Sequence, residues 1–98
     1  MAIILNEYYK NYINNNYTFL DENKLQELKI EVERLINNNS KIILNFDGGF
    51  GYTINFLEMI ITFLLDKFGN ESILSNIEII SNDEPSISEY VYSLLENK

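Results

Sequence analysis

The segment from Lys41 to Leu57 constrains the fold more than any other part of the chain. Residues 41–47 form a mostly apolar run rich in β-favouring residues, and the run is too short for a stable helix. Continuous apolar runs of this length are typical of strands that are covered on both faces. Asp47 and two glycines end the run, and apolar residues at helical spacing follow from Thr53. The segment therefore predicts a buried strand, a glycine-rich turn and a helix, which together form half of a βαβ unit.

The hydrophobic content is sufficient for one small domain without covalent help. Apolar residues make up 46% of the 98 residues, and the chain has no cysteine for a disulfide or a thiolate metal site. The apolar start, Met1–Leu5, is much shorter than a secretory signal, and no apolar stretch is long enough to span a bilayer. We therefore expect a single cytoplasmic domain over residues 1–98.

The charge balance is strongly acidic. The formal net charge is −8, and the seven lysines and arginines are scattered along the chain. Affinity for nucleic-acid backbones comes mainly from clustered basic residues, so direct binding to nucleic acid is not expected. The acidic excess serves either to keep the protein soluble, which is the simpler interpretation, or to attract a basic partner surface.

Periodicity along the rest of the chain predicts an α/β domain with the order β-β-α-β-α-β-α. Asp21 and Thr53 are placed as N-caps of the first two helices, and the Asn-rich stretch 11–16 is predicted to be a turn between two N-terminal strands. The predicted strands are 2–5, 17–20, 41–47 and 77–81, and the predicted helices are 21–37, 53–68 and 86–95. Right-handed crossovers would place the three helices mainly on one face of a small mixed four-stranded sheet, with strand 41–47 in the centre.

Three short motifs in this chain resemble a known family. Leu44 to Asp47 reads Leu-Asn-Phe-Asp, 52–57 reads Tyr-Thr-Ile-Asn-Phe-Leu, and 77–85 reads Ile-Glu-Ile-Ile-Ser-Asn-Asp-Glu-Pro. With the glycine turn between the first two, they resemble the STAS-like domain family of unknown function, distant relatives of the anti-sigma-factor antagonists, from about Asp21 onwards. The resemblance implies a STAS-like fold and a non-enzymatic regulatory module whose partner is a protein such as an ATPase-like kinase or a regulator.

The resemblance also points to a phosphorylation switch. In antagonists of the STAS fold, the helix after this turn begins with a serine that a partner kinase phosphorylates, and phosphorylation ends binding. An alignment without gaps places Ile54 and Asn55 at the serine positions, and neither side chain can be phosphorylated. Thr53 is the hydroxyl that could substitute, because a phosphate there would lie favourably at a helix N-terminus. The alternative is that Thr53 acts only as an N-cap.

The turn 47–53 and the helix that follows are the predicted partner-binding surface. Loops at the carboxyl ends of strands are common binding sites in α/β proteins, and aromatic residues supply much of the energy at interfaces. The candidate contacts are Asp47, Phe50, Tyr52, Thr53, Asn55 and Met59. An apolar shoulder on the helix, formed by Phe56, Met59 and Phe63, is expected to pack inside the domain; the alternatives are an exposed partner surface and a homodimer interface.

The residue types do not favour catalysis, a cofactor or a metal. The chain has no histidine and no cysteine, so the usual base at neutral pH and the strongest nucleophile are both missing. Gly48–Gly51 lacks the Lys-Ser or Lys-Thr that follows a phosphate-binding loop, so the glycines are expected to form a tight turn with positive φ. Asp47, Asp83 and Glu84 could meet at the end of the sheet, but no loop has the spacing of calcium ligands.

Charge and size leave an alternative function open. A small acidic inhibitor, for example a phage-encoded anti-CRISPR protein, would act on a nucleic-acid-handling complex by nucleic-acid mimicry or by steric block. Mimicry requires carboxylates in a phosphate-like row, whereas the acidic residues of this chain are spread along all the predicted helices. The salt dependence of complex formation would separate this alternative from the regulatory module.

Overall fold

The sheet consists of three short strands, and all of them are parallel. The structure, a computed structural model, describes residues 2–17, 19–49 and 51–96. The strands are β1 (Ala2–Ile4), β2 (Ile42–Asn45) and β3 (Ile77–Ile80). The helices are α1 (Leu5–Asn14), α2 (Glu22–Asn37), α3 (Ile54–Phe68), α4 (Asn70–Asn76) and α5 (Pro85–Glu96). The α/β class is therefore confirmed.

The strand order is β1-β2-β3, so β2 is central as predicted. The predicted fourth strand at 17–20 is wrong, because the described residues of that segment form no strand. The predicted mixed sheet is wrong, because both strand pairs are parallel. Asn16 and Tyr17 both have positive φ angles, 65° and 63°, and two successive residues in this conformation cannot continue an extended chain. Residues 15–17 instead make the turn that follows α1.

Helix α1 occupies part of the stretch that was predicted to be an Asn-rich turn, and that prediction is wrong. Leu5, Tyr8, Tyr9 and Tyr12 are spaced i, i+3, i+4 and i+7, and all four side chains are buried. Burying one helical stripe of large side chains outweighs the weak helix propensity of asparagine and tyrosine.

Helix α4 is the second helix that the sequence pattern did not predict, so the prediction of three helices is replaced by five in the described residues. It fills the connection between α3 and β3, and its Ile73 is completely buried. Gly69 ends α3 with a φ angle of 84°, as expected for a glycine at a helix C-terminus.

The two faces of the sheet differ sharply in burial. On one face, Ile3, Leu44 and Ile79 lie side by side in the register and are buried together with the buried side chains of all five helices in one core. The opposite face carries only half-buried or exposed residues, which are Ala2, Ile4, Ile43, Asn45, Glu78 and Ile80. The expectation that β2 is covered on both faces therefore fails within the described residues.

The apolar shoulder of α3 packs largely inside the domain. Phe56 is completely buried, and Met59 and Phe63 are half-buried against the core. These three residues therefore do not form an exposed apolar patch. Among the described residues, no helix combines the length and the hydropathy that crossing a membrane requires.

Candidate partner-binding site

The loops that follow β2 and β3 meet at one edge of the sheet. Both strands are parallel neighbours, so their carboxyl ends lie side by side. The pairing extends one residue further, because the Phe46 amide donates to the Ile80 carbonyl over 2.8 Å. The turn 47–53 and the loop 81–84 therefore leave the sheet next to each other.

Reciprocal hydrogen bonds lock the two loops together. The Asp47 carboxylate accepts from the Asn82 side-chain amide and from the Asp83 backbone amide, each over 3.0 Å. In return, the Gly48 amide donates to Asp83 Oδ2 over 3.0 Å. Within the first loop, the Asp47 amide also donates to Asn45 Oδ1 over 2.8 Å. Both carboxylates thus hold the loops in place.

The far end of the turn is held from two sides. The Gly51 amide donates to Glu84 Oε1 over 3.1 Å, and the Tyr9 hydroxyl donates to the Gly51 carbonyl over 2.7 Å. Tyr9 belongs to α1, so the helix that sequence reasoning missed supports the predicted site. The signal that could have found it is the helical spacing of Tyr8, Tyr9 and Tyr12 after Leu5.

The glycines of the turn are required for two different reasons. Gly48 and Gly51 have φ angles of 89° and 69°, which confirms the predicted positive-φ turn. Gly49 is required by space instead. A Cβ atom at Gly49 would lie 2.6 Å from the Tyr52 hydroxyl oxygen and 2.7 Å from Asn6 Oδ1.

Tyr52 supports the turn from the inside. Its hydroxyl donates to the Phe46 carbonyl over 2.9 Å, and its ring centroid lies 4.7 Å from that of Tyr9 and 5.9 Å from that of Phe56. Burial, together with the nearby carboxylates of Glu84 and Asp47, raises the pKa of Tyr52 to about 12. The half-buried ring has a structural role, and its role as a partner contact stays a prediction.

Thr53 caps α3 as predicted. Its Oγ1 accepts from the Phe56 amide over 3.2 Å, and its backbone is extended, with φ −77° and ψ 151°. The side chain is half-buried. Its phosphorylation stays a prediction, and a phosphate on Oγ1 would have to replace the cap's hydrogen bond with one from a phosphate oxygen.

The first turn of α3 presents apolar surface to solvent. Ile54 is 58% exposed and Asn55 beside it is exposed, whereas Met59 is half-buried. Phe50 lies outside the described residues. A shallow groove between α3 and α5 borders this turn and is lined by Tyr52, Ile54, Leu57, Glu84, Ser86, Ile87 and Tyr90.

Ile54 was absent from the predicted contacts, although the sequence contains a signal for its exposure. It precedes Glu58 and Thr62 by four and eight residues, and these two residues mark the polar stripe of the helix. The rim of the groove is also polar, since the Tyr90 hydroxyl donates to Glu58 Oε1 over 2.9 Å.

The acidic side chains at this edge act as hydrogen-bond acceptors for the protein itself. Asp47, Asp83 and Glu84 converge as the sequence suggested, and each accepts at least one hydrogen bond from the two loops. Within residues 2–17, 19–49 and 51–96, no three or more acidic side chains are arranged to hold a metal ion. A phosphate at the glycine turn would have to displace carboxylates from the amides of Gly48 and Gly51.

Comparison with known protein families supports the resemblance seen in the sequence motifs. The family model of the STAS-like domain of unknown function (DUF4325) matches residues 26–86, which is more than half of the chain. No curated protein and no solved structure matches the chain. The matched segment contains β2, α3, α4, β3 and both loops of the candidate site. The chain therefore belongs to the family of STAS-like domains of unknown function.

Proposed function

We propose that this chain is a non-enzymatic regulatory module that binds a protein partner through the turn 47–53 and the first turns of α3. The observation that carries the proposal is the exposure of Ile54 at the start of α3, directly after a turn that side-chain hydrogen bonds hold in one conformation. A preordered surface loses little conformational entropy on binding, so an exposed apolar residue there contributes more of its burial energy to affinity.

The charges around Ile54 indicate which kinds of side chain a complementary partner surface would carry. Glu58 and Glu84 flank the groove between α3 and α5, and Asp47 and Asp83 lie at the base of the turn. A complementary surface would place an apolar side chain against Ile54 and basic side chains around it. Such charges speed the encounter and select the partner, whereas the apolar contact slows dissociation.

The proposal is tested by affinity capture from the source organism with a matched pair of variants. Ile54→Asp removes the apolar contact, and aspartate is well tolerated in the first turn of a helix. Ile30→Asp makes the same change at an isoleucine of α2 that is 55% exposed and far from the turn in sequence. We expect Ile54→Asp to reduce capture about tenfold or more, the effect of losing a central contact, and Ile30→Asp to leave it unchanged.

The identity of the captured protein and its response to salt separate the two functional classes. An ATPase-like kinase or a regulator that is lost with Ile54→Asp and retained at high salt supports the regulatory module. Capture of a nucleic-acid-handling complex that is equally strong with Ile54→Asp and is released by salt contradicts the regulatory module. Such a result supports the acidic inhibitor, because exposed charges are screened by salt.

Thr53 is the proposed modification site within the same scheme. If the captured partner is a kinase, incubation with ATP should place one phosphate on Thr53, and mass spectrometry of the peptide locates it. Capture by the phosphorylated protein should then weaken, because the phosphate adds negative charge next to Ile54. Phosphate on another residue, or on none, removes Thr53 from the proposal and leaves the docking surface unaffected.

A further inference from the structure

One face of the parallel sheet has no covering layer in the described part of the chain. We call it the free face and define it by Ala2, Ile4, Ile43, Asn45, Glu78 and Ile80, which form two rows across the three strands. None of its isoleucines belongs to the core or packs against it. Parallel sheets are almost always covered on both faces, so an apolar free face indicates a missing occupant.

The dimensions of the free face suit one helix. Three strands about 4.8 Å apart, three or four residues long, at about 3.3 Å per residue, give an area of at most roughly 14 Å by 13 Å. A helix is about 10 Å wide and rises about 1.5 Å per residue, so about nine residues would cover this area. In α/β folds, helices are the elements that cover sheet faces.

A second copy of this chain fits the free face less well. Stable dimers bury about 800 Å² on each partner, several times the area of this small sheet. Two copies would also each carry a formal net charge of −8 and repel one another. Both arguments favour a short element from a different protein.

Carboxylates lie at both edges of the free face. Glu7 and Glu31 line a depression beside β1 together with Ala2 and Ile4, and the Glu31 carboxylate already pairs with Arg34. On the other side, the Glu78 side chain is 43% exposed, with Lys41 Nζ 3.4 Å from its Oε1. Lysines or arginines that flank the apolar stripe of a docked helix would meet Glu7 at one edge and Glu78 at the other.

We propose that the free face binds one basic amphipathic helix of a partner protein. The helix lays its apolar stripe on the isoleucines of the three strands and directs its basic flanks towards Glu7 and Glu78. This surface lies on the sheet itself and not on the turn 47–53, so the inference does not rest on the proposed function above.

The probe is a fluorescently labelled synthetic peptide of about 14 residues, roughly four helical turns, with leucines at helical spacing and lysines on both flanks. One matched peptide replaces the leucines with serine, and a second replaces the lysines with glutamate. We expect saturable binding of the first peptide by fluorescence anisotropy, and binding about tenfold weaker or more for both matched peptides, since each lacks one component of recognition. Failure of the first peptide to saturate overturns the proposal.

Two protein variants assign the binding to the free face. Ile4→Lys and Ile30→Lys each remove an exposed isoleucine and add one positive charge, since Ile4 is 40% exposed on the free face and Ile30 lies on α2. We expect Ile4→Lys to weaken peptide binding about tenfold and Ile30→Lys to change it less than about twofold. Circular dichroism checks folding, and Ile43→Thr replaces Ile4→Lys if that variant unfolds, because threonine suits a strand.

Backbone amide NMR shifts complete the test. Shifts concentrated in 2–4, 42–45 and 77–80 support the proposal, and Ile54→Asp should bind the peptide like the wild type. Shifts concentrated at 47–55, or equal binding by Ile4→Lys and the wild type, overturn it. A wild-type dimer that Ile4→Lys converts to a monomer also overturns it, because a second copy would then occupy the free face.

Discussion

At the scale of single residues, alanine at two neighbouring glycines should separate lack of space from backbone strain. Gly49→Ala brings a Cβ atom against the Tyr52 hydroxyl, whose ring is enclosed by Tyr9 and Phe46. We expect a loss of about 1–3 kcal/mol in the free energy of unfolding, the usual cost of overpacking. Gly48→Ala meets no atom within 4 Å and should lose only about 1 kcal/mol, for its positive φ. Urea denaturation measures both, and equal losses would show that Tyr52 moves without cost.

Two tyrosines should make stability fall at alkaline pH. Burial and, to a smaller extent, nearby carboxylates raise the pKa of both Tyr8 and Tyr52 from an ordinary value of 10.0 to about 12. The folded state therefore favours the neutral phenol. This contribution is complete below pH 10 and is lost as the pH rises from 10 towards 12.

Tyrosinate absorbance measures this titration directly. In the folded wild type, Tyr8 and Tyr52 should ionise late, near pH 12, and the same protein in denaturant should lose the late phase. The variants Tyr8→Phe and Tyr52→Phe should each remove part of it. A single ionisation step shared by the folded and denatured protein would contradict the prediction.

Residue roles that depend on local chemistry could be predicted from the sequence. Asp21 and Thr53 were identified as N-caps because a cap bonds amides only two or three residues away, and both bonds are present. Two other roles could not be predicted from local sequence. The Tyr52 hydroxyl bonds the Phe46 carbonyl across the glycine turn, and the Tyr9 hydroxyl reaches the Gly51 carbonyl from a helix that is distant in sequence.

At the scale of elements, the start of α3 depends on the hydroxyl of Thr53. Thr53→Ala leaves the Phe56 amide without its acceptor and should lower the free energy of unfolding by about 1 kcal/mol, within the range known for caps. Thr53→Ser keeps the oxygen and should lose clearly less. Chemical denaturation measures both variants, and equal losses would mean that the threonine methyl group, and not the cap, carries the effect.

The outer edge of β3 depends on a tyrosine of α5. The Ile79 amide donates to the Tyr92 hydroxyl over 3.2 Å, which satisfies a strand donor that no neighbouring strand can reach. Tyr92→Phe should lower the free energy of unfolding by about 1 kcal/mol and speed hydrogen exchange of the Ile79 amide. Tyr17→Phe serves as the control. Unchanged exchange at Ile79 would show that this bond does not protect the edge.

Elements with strong internal patterns were predicted well, and elements without them were not. α2, α3, β2 and β3 were located from apolar spacing and breaker residues alone. α1 was missed because its asparagines and tyrosines are weak helix formers, and α4 was missed because its seven residues are too few for a periodic signal.

At the scale of the whole molecule, self-repulsion should make stability rise with salt. The formal net charge is −8, while the ion pairs among the described residues, Lys24–Glu27, Glu31–Arg34 and Lys41–Glu78, are all at the surface. Exposed pairs contribute little, so screening the repulsion should outweigh screening the pairs. We expect the melting temperature to rise by a few degrees between about 10 and 200 mM NaCl.

A charge-reduced variant provides the control for this salt effect. Glu33→Gln with Glu89→Gln removes two exposed negative charges, one on α2 and one on α5. The variant should melt higher at low salt and respond less to NaCl than the wild type. A melting temperature that falls as NaCl is added would show that ion pairs outweigh repulsion.

The sequence by itself determined the central strand, the two capped helices α2 and α3, the glycine turn and the family. Each of these depends on residues that lie close together in the chain. Only the tertiary structure decided the number and direction of the strands, the burial of α1, the locking of the turn by the loop after β3, and the free face of the sheet. The physical reason is that these features depend on contacts between distant segments. A local pattern states what a segment prefers, and long-range packing determines which preferences are satisfied together.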